Sequence, residues 1–368
     1  MSIPFLDLKA AYDELSERAE PAMLRSLRSG WYILGPEVEA FEAAFARYCG
    51  VEHAIGVANG LDALRLSLMA LEIGPGDRVL VPSNTYVATW LAVSQCGATP
   101  VPVEPDPDTH NITAEGIRAA MQPGVKAVIP VHLYGQPANM AEMIATAREL
   151  GLAVIEDAAQ AHGATWDGTR IGGHGDLVCW SFYPGKNLGA VGDGGGITTN
   201  DPALADRLRM LRNYGSREKY QNEYPGLNSR LDPVQAAFLK VKLEVLDEWN
   251  ARRAKVADAY LDGLRGRDLV LPKIAHGACS AWHLFVIRHP RRDALAHALA
   301  DAGVQTLIHY PLPPHAQKAY ADLGLTDHQL PLAAQLASEV LSLPIGPHLE
   351  ASQVAQVIDV VNDCVKAL

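Results

Sequence analysis

Four side chains of complementary chemistry occur in two short segments of the chain. Asp157 and Gln160 lie in the segment Glu-Asp-Ala-Ala-Gln, and Ser181 and Lys186 lie in the segment Ser-Phe-Tyr-Pro-Gly-Lys-Asn. They supply an acid, an amide, a hydroxyl and an amine, which is the set of groups that a pyridoxal phosphate site needs. An amine that forms a Schiff base must be deprotonated and must reach the cofactor carbonyl from a fixed scaffold.

Each segment directly follows an apolar run of the sequence. The runs at 152–155 and 177–180 are typical of buried parallel strands. Open α/β sheets bind their ligands at the carboxyl ends of such strands. We therefore expect Asp157 and Lys186 at the carboxyl ends of neighbouring strands, and we expect the chemistry there.

Each of these residues also has an ordinary structural explanation. Most lysines are solvated surface residues, so Lys186 alone would be weak evidence for a site. Asp157 could form a salt bridge or cap a helix instead of pairing with a protonated pyridine nitrogen. Because a buried carboxylate without a partner is costly, we expect Asp157 to be paired with a cation. The functional interpretation depends on the four residues occurring together.

A phosphate group and a flat ring would need further partners. Helix N-termini favour anions, and Gly60 and Leu61 begin an apolar-periodic helix directly after a predicted strand. Their backbone is therefore a candidate phosphate site, although an ordinary strand-to-helix turn has the same pattern. Tyr86 follows another predicted strand and could stack on a ring, whereas a single aromatic residue at a strand end is more often core.

The alternation of apolar runs and helix-like stretches predicts the elements that position these groups. Between about residues 53 and 200 the spacing is that of βαβ units, which indicates a larger α/β domain with a mostly parallel sheet. The predicted strands are 53–57, 78–81, 99–103, 126–131, 152–156, 177–182 and 196–199, and the predicted helices are 61–71, 87–96, 114–121 and 138–150.

A second, smaller unit is predicted in the C-terminal part. A long helical stretch over 233–264 leads into an α+β pattern with a strand at 282–287 and helices at 291–302, 331–341 and 351–365, and a further helix is expected over 8–27. We predict that residues 1–250 form the N-terminal helix and the large α/β domain. Residues 251–368 are predicted to form the small α+β domain.

Composition excludes several classes of function. The chain has 368 residues and a net charge of -11, which argues against a nucleic-acid or anionic-membrane partner. No 18-residue uncharged apolar run and no basic-apolar leader is present, so we expect a soluble protein that is not exported. The five cysteines are scattered without a Cys-x-x-Cys pair, which favours the cytoplasm and argues against a disulfide framework or a zinc site.

Two other motifs fail on inspection. Gly185-Lys186 is similar to the end of a P-loop, but the first glycine of that motif would fall at Trp180. Asp106, Asp108 and His110 form an incomplete calcium-loop pattern that a proline-rich turn explains better. We therefore predict no metal site.

Segments along the whole chain resemble the DegT/DnrJ/EryC1/StrS family of pyridoxal-phosphate sugar aminotransferases. The resemblance includes Glu-Asp-Ala-Ala-Gln-Ala-His-Gly and extends over segments at 4–8, 29–36, 135–137, 156–163, 212–215, 228–232 and 343–345. It implies the aspartate-aminotransferase-like fold (fold type I), with a mostly parallel seven-stranded sheet. It also implies pyridoxal 5'-phosphate as the cofactor, with pyridoxamine 5'-phosphate as its intermediate form.

The resemblance assigns roles to the candidate residues around the cofactor ring. Lys186 would form the Schiff base, and Asp157 would lie at the pyridine nitrogen. Gln160 would lie at the phenolic oxygen, and Tyr86 would stack on the ring. These four positions match the family pattern.

The phosphate would be held from both subunits of a dimer. The resemblance implies contacts from Ser181 and from the backbone around Gly60 and Leu61, and it implies that Asn228 reaches the phosphate of the other subunit. The active site would then be shared across a homodimer. Many relatives carry a small residue or threonine where this chain has Leu61, so the phosphate would have one side-chain contact fewer.

The surroundings of Lys186 are similar to one branch of the family. The run Phe-Tyr-Pro-Gly-Lys-Asn-Leu-Gly resembles enzymes that aminate C3 of a nucleotide-linked keto sugar, and segments at 212–220 and 309–311 resemble enzymes of dTDP-linked 3-amino-dideoxyhexoses. The implied reaction transfers an amino group from glutamate to C3 of a dTDP-linked 3-keto-6-deoxyhexose. Candidate substrate contacts are Tyr183, Arg217, Lys219, His309 and Tyr310.

Three alternatives stay open at this point. The stretch from Arg217 to Lys219 could be a solvated loop without a role in binding. The chain could be a C4-aminating or UDP-sugar enzyme of the same family, or a regulator that keeps the fold without the activity. Family members that deoxygenate sugars carry histidine at the lysine position, so Lys186 argues against that activity.

Overall fold

The computed structural model describes residues 2–368 of the chain. Its helices are α1 (Leu8–Arg28), α2 (Pro36–Cys49), α3 (Gly60–Ala70), α4 (Val87–Gln95), α5 (Ala114–Ala119), α6 (Met140–Glu149), α7 (Pro202–Leu211), α8 (Pro233–Leu243), α9 (Leu246–Gly263), α10 (Arg292–Asp301), α11 (Pro331–Glu339) and α12 (Ala351–Ala367). Its strands are β1 (His53–Val57), β2 (Arg78–Pro82), β3 (Thr99–Val103), β4 (Val125–Val128), β5 (Ala153–Asp157), β6 (Thr165–Trp166), β7 (Thr169–Arg170), β8 (Leu177–Ser181), β9 (Gly195–Thr199), β10 (Ser216–Glu218), β11 (Gln221–Asn222), β12 (Ala278–Cys279), β13 (Phe285–Arg288) and β14 (Val340–Leu343).

A seven-stranded sheet forms the centre of the larger part of the molecule. Its strand order is β1-β9-β8-β5-β4-β2-β3, and only β9 runs antiparallel to its neighbours. An apolar core covers each face of the sheet. Val178 and Trp180 of β8 point into one apolar core, whereas Leu177 and Cys179 point into the other. The predicted α/β class and mostly parallel sheet are confirmed.

Most predicted elements of the sheet region occur within a few residues of their expected bounds. The prediction missed α2 and α7, which both begin with proline at the first helical position. The helical stretch over 233–264 is two helices, because the chain leaves the helical conformation between α8 and α9.

The helix predicted over 331–341 is wrong at its C-terminal end. Helix α11 stops at Glu339, and the next residues form β14, which pairs antiparallel with β13. Every residue of β14 is buried. Ladder hydrogen bonds and burial therefore stabilise the run Val-Leu-Ser-Leu more than one further helical turn would. The partner strand starts at Phe285 instead of the predicted 282, because Trp282 has a positive φ of 47°.

The C-terminal residues enclose an apolar core of their own. Tyr260, Phe285, Leu341 and Val361 are fully buried there, together with Ile3 from the start of the chain. Helix α9 crosses the predicted boundary at 250/251 and contributes to packing on both sides of it. The division into 1–250 and 251–368 stays a prediction. Within residues 2–368, no helix is both long enough and apolar enough to cross a bilayer.

A buried ion pair ties helix α2 to strand β1. Glu42 of α2 accepts a hydrogen bond from Arg212 and another from the Gly56 N–H at 2.7 Å. Arg212 also donates to the Gly56 carbonyl at 2.7 Å. Both side chains are nearly buried, at 8% and 11% exposure for Arg212 and Glu42. The pair thereby fixes the strand that leads directly into α3.

Replacing Arg212 by methionine should lower the free energy of unfolding by about 3–5 kcal/mol, because Glu42 would be left buried without a cation. Urea titration followed by far-UV circular dichroism measures this change. The matched control is Arg265→Met, since Arg265 and its partner Asp262 are 77% and 80% exposed. The control should change stability by less than about 1 kcal/mol. Equal effects of the two substitutions would contradict the structural role of the buried pair.

Candidate active site

The predicted pair of segments meets at one edge of the central sheet. Asp157 is the last residue of β5, and β5 pairs in parallel with β8, where Asp157 lies opposite Cys179. Ser181 ends β8, and Lys186 lies in the loop that follows. The expectation that Asp157 and Lys186 lie at the carboxyl ends of neighbouring strands is confirmed.

Asp157 is a nearly buried carboxylate at the end of β5. Its two oxygens accept hydrogen bonds from Thr89 Oγ1 at 2.9 Å and from the Ala159 N–H at 3.2 Å. No lysine, arginine or histidine of residues 2–368 lies within ion-pair distance, so the expected partner cation is not supplied by this part of the chain. Burial raises the pKa of Asp157, and these hydrogen bonds and the nearby Lys186 charge oppose that increase.

The backbone of Asp157 is clamped by its neighbours. Its N–H donates to the Pro130 carbonyl at 2.8 Å, and its carbonyl accepts from the His132 N–H at 3.0 Å. On the opposite face of β5, Glu156 accepts from the Gly175 N–H at 2.6 Å and contacts His132 Nε2 at 2.9 Å. Glu156 and His132 are fully buried. Their pairing joins the segments before and after β5.

Sequence reasoning missed Thr89 and His132. Thr89 lies three residues after Tyr86 in the first turn of α4, so a hydroxyl one turn from a candidate aromatic residue was the available signal. His132 follows the predicted strand that became β4, but its pairing with Glu156 depends on strand order. The order of strands in the sheet is not readable from local pattern.

The loop that carries Lys186 is fixed at both ends. The Lys186 N–H donates to the Tyr183 carbonyl at 2.9 Å, and the Ala190 N–H donates to the Phe182 carbonyl at 2.7 Å. Only glycine fits at position 189, since a Cβ there would lie 2.3 Å from the Pro184 carbonyl oxygen. Burial lowers the pKa of Lys186 to about 8, although the Asp157 charge raises it. The amine is therefore held in place and is easily deprotonated.

The N-terminus of α3 lies directly against Ser181. A Cβ at Gly60 would lie 2.8 Å from Ser181 Cβ, so only glycine allows this approach. Asn59 caps the helix by accepting from the Asp62 N–H at 2.8 Å. Within residues 2–368 the N–H groups of Gly60 and Leu61 have no hydrogen-bond partner. Two free N–H groups, a hydroxyl and the positive end of the helix dipole make this a cradle for an anion.

Gln160 connects the sheet edge to the C-terminal part. Its Oε1 accepts from the Tyr134 N–H at 2.6 Å, and its Nε2 donates to Tyr310 Oη at 3.0 Å. The Tyr310 ring lies 5.2 Å from that of Tyr86, at an angle of 37°. Tyr86 is 55% exposed, so one face of its ring is open to a ligand. The structure thus brings Gln160, Tyr310 and Tyr86 together.

His309 reaches the same region from the segment before β14. Its Nδ1 lies 2.8 Å from Ser342 Oγ. Burial and the Lys186 charge lower the pKa of His309 to about 4, so this imidazole is neutral at physiological pH. A neutral imidazole can both donate and accept hydrogen bonds.

The remaining predicted residues lie at the surface of the single chain. Tyr183 is 58% exposed. Arg217 pairs with Asp206 at 2.6 Å in the hairpin of β10 and β11, and Lys219 in its turn lies 5.0 Å from the Tyr220 ring centre. Asn228 is exposed, with its backbone bridged to Asn213. No contact within residues 2–368 tests the roles of these four residues, which stay predictions.

The model of the DegT/DnrJ/EryC1/StrS aminotransferase family matches residues 13–362. The chain belongs to this family. Its 368 residues are therefore an aminotransferase, as the resemblance implied, and the fold that the resemblance implied is found.

Two relatives and one solved structure cover almost all of this aminotransferase. It is 54% identical to the dTDP-3-amino-3,4,6-trideoxy-alpha-D-glucose transaminase of Streptomyces venezuelae, over 98% of this chain and 96% of the relative. It is 51% identical to the dTDP-3-amino-3,6-dideoxy-alpha-D-galactopyranose transaminase of Aneurinibacillus thermoaerophilus, over 98% and 99% of the two chains. The crystal structure of S. venezuelae DesV in complex with a ketimine intermediate superposes with a TM-score of 0.98 at 53% identity, covering 100% of this chain and 99% of that one.

In the cofactor-free aminotransferase, acetylation of Lys186 by acetic anhydride should increase with pH through a midpoint near 8, because burial disfavours the ammonium form. Mass spectrometry of the Lys186 peptide measures the extent of labelling. In the variant Asp157→Asn the midpoint should move lower, since the Asp157 charge raises the pKa of Lys186. A midpoint near the ordinary lysine pKa of about 10.4 would contradict this description of the site.

Proposed function

We propose that this aminotransferase uses pyridoxal 5'-phosphate to move the amino group of glutamate to C3 of a dTDP-linked 3-keto-6-deoxyhexose. The observation that carries the proposal is the convergence of Lys186, Asp157 and the N-terminus of α3 at one edge of the sheet. Family membership supports the reaction type, and the names of the two relatives support the class of sugar.

The groups at the sheet edge fit this cofactor. Asp157 is buried without a cation of residues 2–368, and a protonated ring nitrogen is the partner that such a carboxylate needs. The cradle formed by Gly60, Leu61 and Ser181 has the donors that a phosphate takes. Gln160 Nε2 has a second hydrogen for the phenolic oxygen, and the exposed face of Tyr86 can cover the ring. The cofactor, when bound, supplies a carbonyl for amines and an electron sink for the carbanion.

The protein groups divide the work of proton transfer between them. With the cofactor bound, the amino donor would displace Lys186 from the cofactor carbon. The released Lys186 amine would then carry a proton between the donor carbon and the cofactor carbon. A pKa of about 8 suits this role, because both protonation states are accessible near neutral pH. Asp157 keeps a proton at the ring nitrogen, and Thr89 fixes the orientation of its carboxylate. The bound cofactor would carry the amino group to the keto sugar in its pyridoxamine 5'-phosphate form.

The sugar nucleotide would approach from the open side of the site. His309 and Tyr310 are placed on the C-terminal side of it, and Tyr183 begins the Lys186 loop. We propose that these three groups contact the sugar, and that Arg217 and Lys219 contact the diphosphate. Because Arg217 is paired with Asp206 in the single chain, it would have to exchange that partner for a phosphate.

We further propose a homodimer with shared active sites. Asn228 and the hairpin with Lys219 are exposed in the single chain and would face the partner. Asn228 would complete the phosphate cradle of the other subunit. We place the enzyme in the cytoplasm, a reducing compartment that suits its five free cysteines.

The variant Lys186→Ala should abolish amino transfer without unfolding the protein, since no other lysine of residues 2–368 follows β5 or β8 at the sheet edge. Mass spectrometry of a mixture of holoenzyme, glutamate and dTDP-3-keto-6-deoxyhexose detects the amino sugar. Lys366→Ala, at an exposed position of α12, is the control and should keep full activity. Turnover by the Lys186 variant would contradict the proposal. Wild-type turnover of only a 4-keto sugar or a UDP-linked sugar would move the enzyme to another branch.

Mixing two inactive variants tests the shared site. We expect Lys186→Ala and Asn228→Ala to lose most activity separately. Random mixing of subunits should restore about a quarter of the wild-type activity, because half of the dimers then contain one intact site of two. The absence of recovery after subunits are shown to exchange would indicate that Asn228 acts within its own chain, and full activity of Asn228→Ala alone would indicate that it has no role.

A further inference from the structure

A second chamber adjoins Lys186. It is a cavity of about 280 Å³, close to the lower end of ligand-pocket volumes of about 300 Å³. Residues 4–8, the loop 184–187 and residues 345–350 form much of its wall, and side chains of α1, α8, α9 and α12 contribute the rest. Lys186 lines it, whereas Asp157, Gln160 and Tyr86 do not. The chamber therefore adjoins the loop that carries the reactive amine without belonging to the cofactor cradle.

Two buried cations line this chamber. Lys242 of α8 and Arg253 of α9 are 6% and 4% exposed. Lys242 Nζ donates to the Gly189 carbonyl at 3.0 Å and lies 5.5 Å from the Trp249 ring centre. Arg253 Nη1 donates to the carbonyls of Trp282, His283 and Ile345 at 3.3–3.4 Å. All of these partners are neutral.

No carboxylate of residues 2–368 neutralises these two charges within ion-pair distance. Asp7 and Glu350 also line the chamber, but each caps a helix. Asp7 accepts from the Ala10 N–H at 3.0 Å, and Glu350 forms a capping box in α12. Burial, and in second place Arg253, lower the pKa of Lys242 to about 7, and burial lowers the pKa of Arg253 to about 10. Buried charges without counter-charge are costly, so an anion in the chamber would be stabilised.

The N–H groups of Lys242 and Arg253 that lack an acceptor indicate which kind of anion would bind. Nε and Nη2 of Arg253 and two hydrogens of Lys242 Nζ have no protein acceptor within residues 2–368. A guanidinium fork matches the two oxygens of a carboxylate. The chamber is also lined by residues 184–187, the loop that carries Lys186, which an incoming amino donor must replace. A carboxylate held by Arg253 and Lys242 would hold the rest of an amino acid against this loop.

We propose that the chamber between α8, α9 and the Lys186 loop binds a carboxylate group of the amino-acid donor through Arg253 and Lys242, an inference that rests on the proposed function. Under the proposed function the diphosphate of the sugar nucleotide contacts Arg217 and Lys219 instead. Donor and sugar are then recognised by different residues around one reacting amine.

Glutarate, a dicarboxylate without an amine, tests the site directly. Calorimetry should detect its binding to the wild-type holoenzyme, and Lys242→Met should weaken that binding about tenfold or more. Lys242→Arg, which keeps the charge, should retain most of the affinity. Arg253→Lys should weaken binding because the fork is lost. Lys255→Met, which removes an exposed cation from α9, the helix of Arg253, is the matched control and should leave the affinity unchanged.

Comparing the two half-reactions distinguishes a role of Lys242 in donor binding from a purely structural role. In Lys242→Met the apparent Kd for glutamate should rise by the same factor, measured from the cofactor absorbance change. The half-reaction of the pyridoxamine form with the keto sugar should stay within about twofold of wild type. The proposal is overturned if the wild type does not bind glutarate, if Lys242→Met and Arg253→Lys bind it as tightly as wild type, or if both half-reactions fall equally. Glutarate binding by an enzyme that transfers no amino group would leave the carboxylate site standing and refute the proposed function.

Discussion

The active site depends on one constraint, which is a carboxylate buried at the end of a central strand. Asp157 has no cation among residues 2–368 close enough to pair with it, so its burial is costly until a positive group binds in front of it. Thr89 and the Ala159 N–H offset part of that cost and orient the carboxylate. The surrounding fold holds Asp157 in this position through β5, its pairing with β8 and the clamp by Glu156 and His132.

The reactivity of Lys186 follows from the same arrangement. Burial favours the neutral amine, and the Asp157 charge favours the ammonium, so the pKa of Lys186 settles at about 8. A fully solvated lysine would be a poor base at neutral pH. An amine buried without Asp157 nearby would be a poor acid. The burial of Lys186 and its proximity to Asp157 thereby set a balance that proton transfer needs.

Local sequence patterns predict the strands and helices of the sheet region, but not which distant segments pair with each other. Continuous apolar runs such as Val-Leu-Val and Leu-Val-Cys-Trp indicate buried parallel strands, and each predicted strand of the sheet is found. The predicted helix 331–341 wrongly includes residues 340–341, because the pairing of β14 with β13 is set by a partner far away in the chain. Thr89 and His132 were missed for the same reason, since each acts on a strand end that only the strand order brings near. Roles that depend on a second subunit, such as that of Asn228, lie beyond what one chain displays.

The Lys186 loop joins two electrostatic environments of opposite character. On one side it faces a buried anion, Asp157, and on the other it lines a chamber with the buried cations Lys242 and Arg253. Lys242 also donates to the Gly189 carbonyl, three residues after Lys186. A carboxylate bound to Lys242 would compete for the same ammonium and would draw charge away from that carbonyl. A bound carboxylate would therefore weaken one hydrogen bond to the segment that follows Lys186.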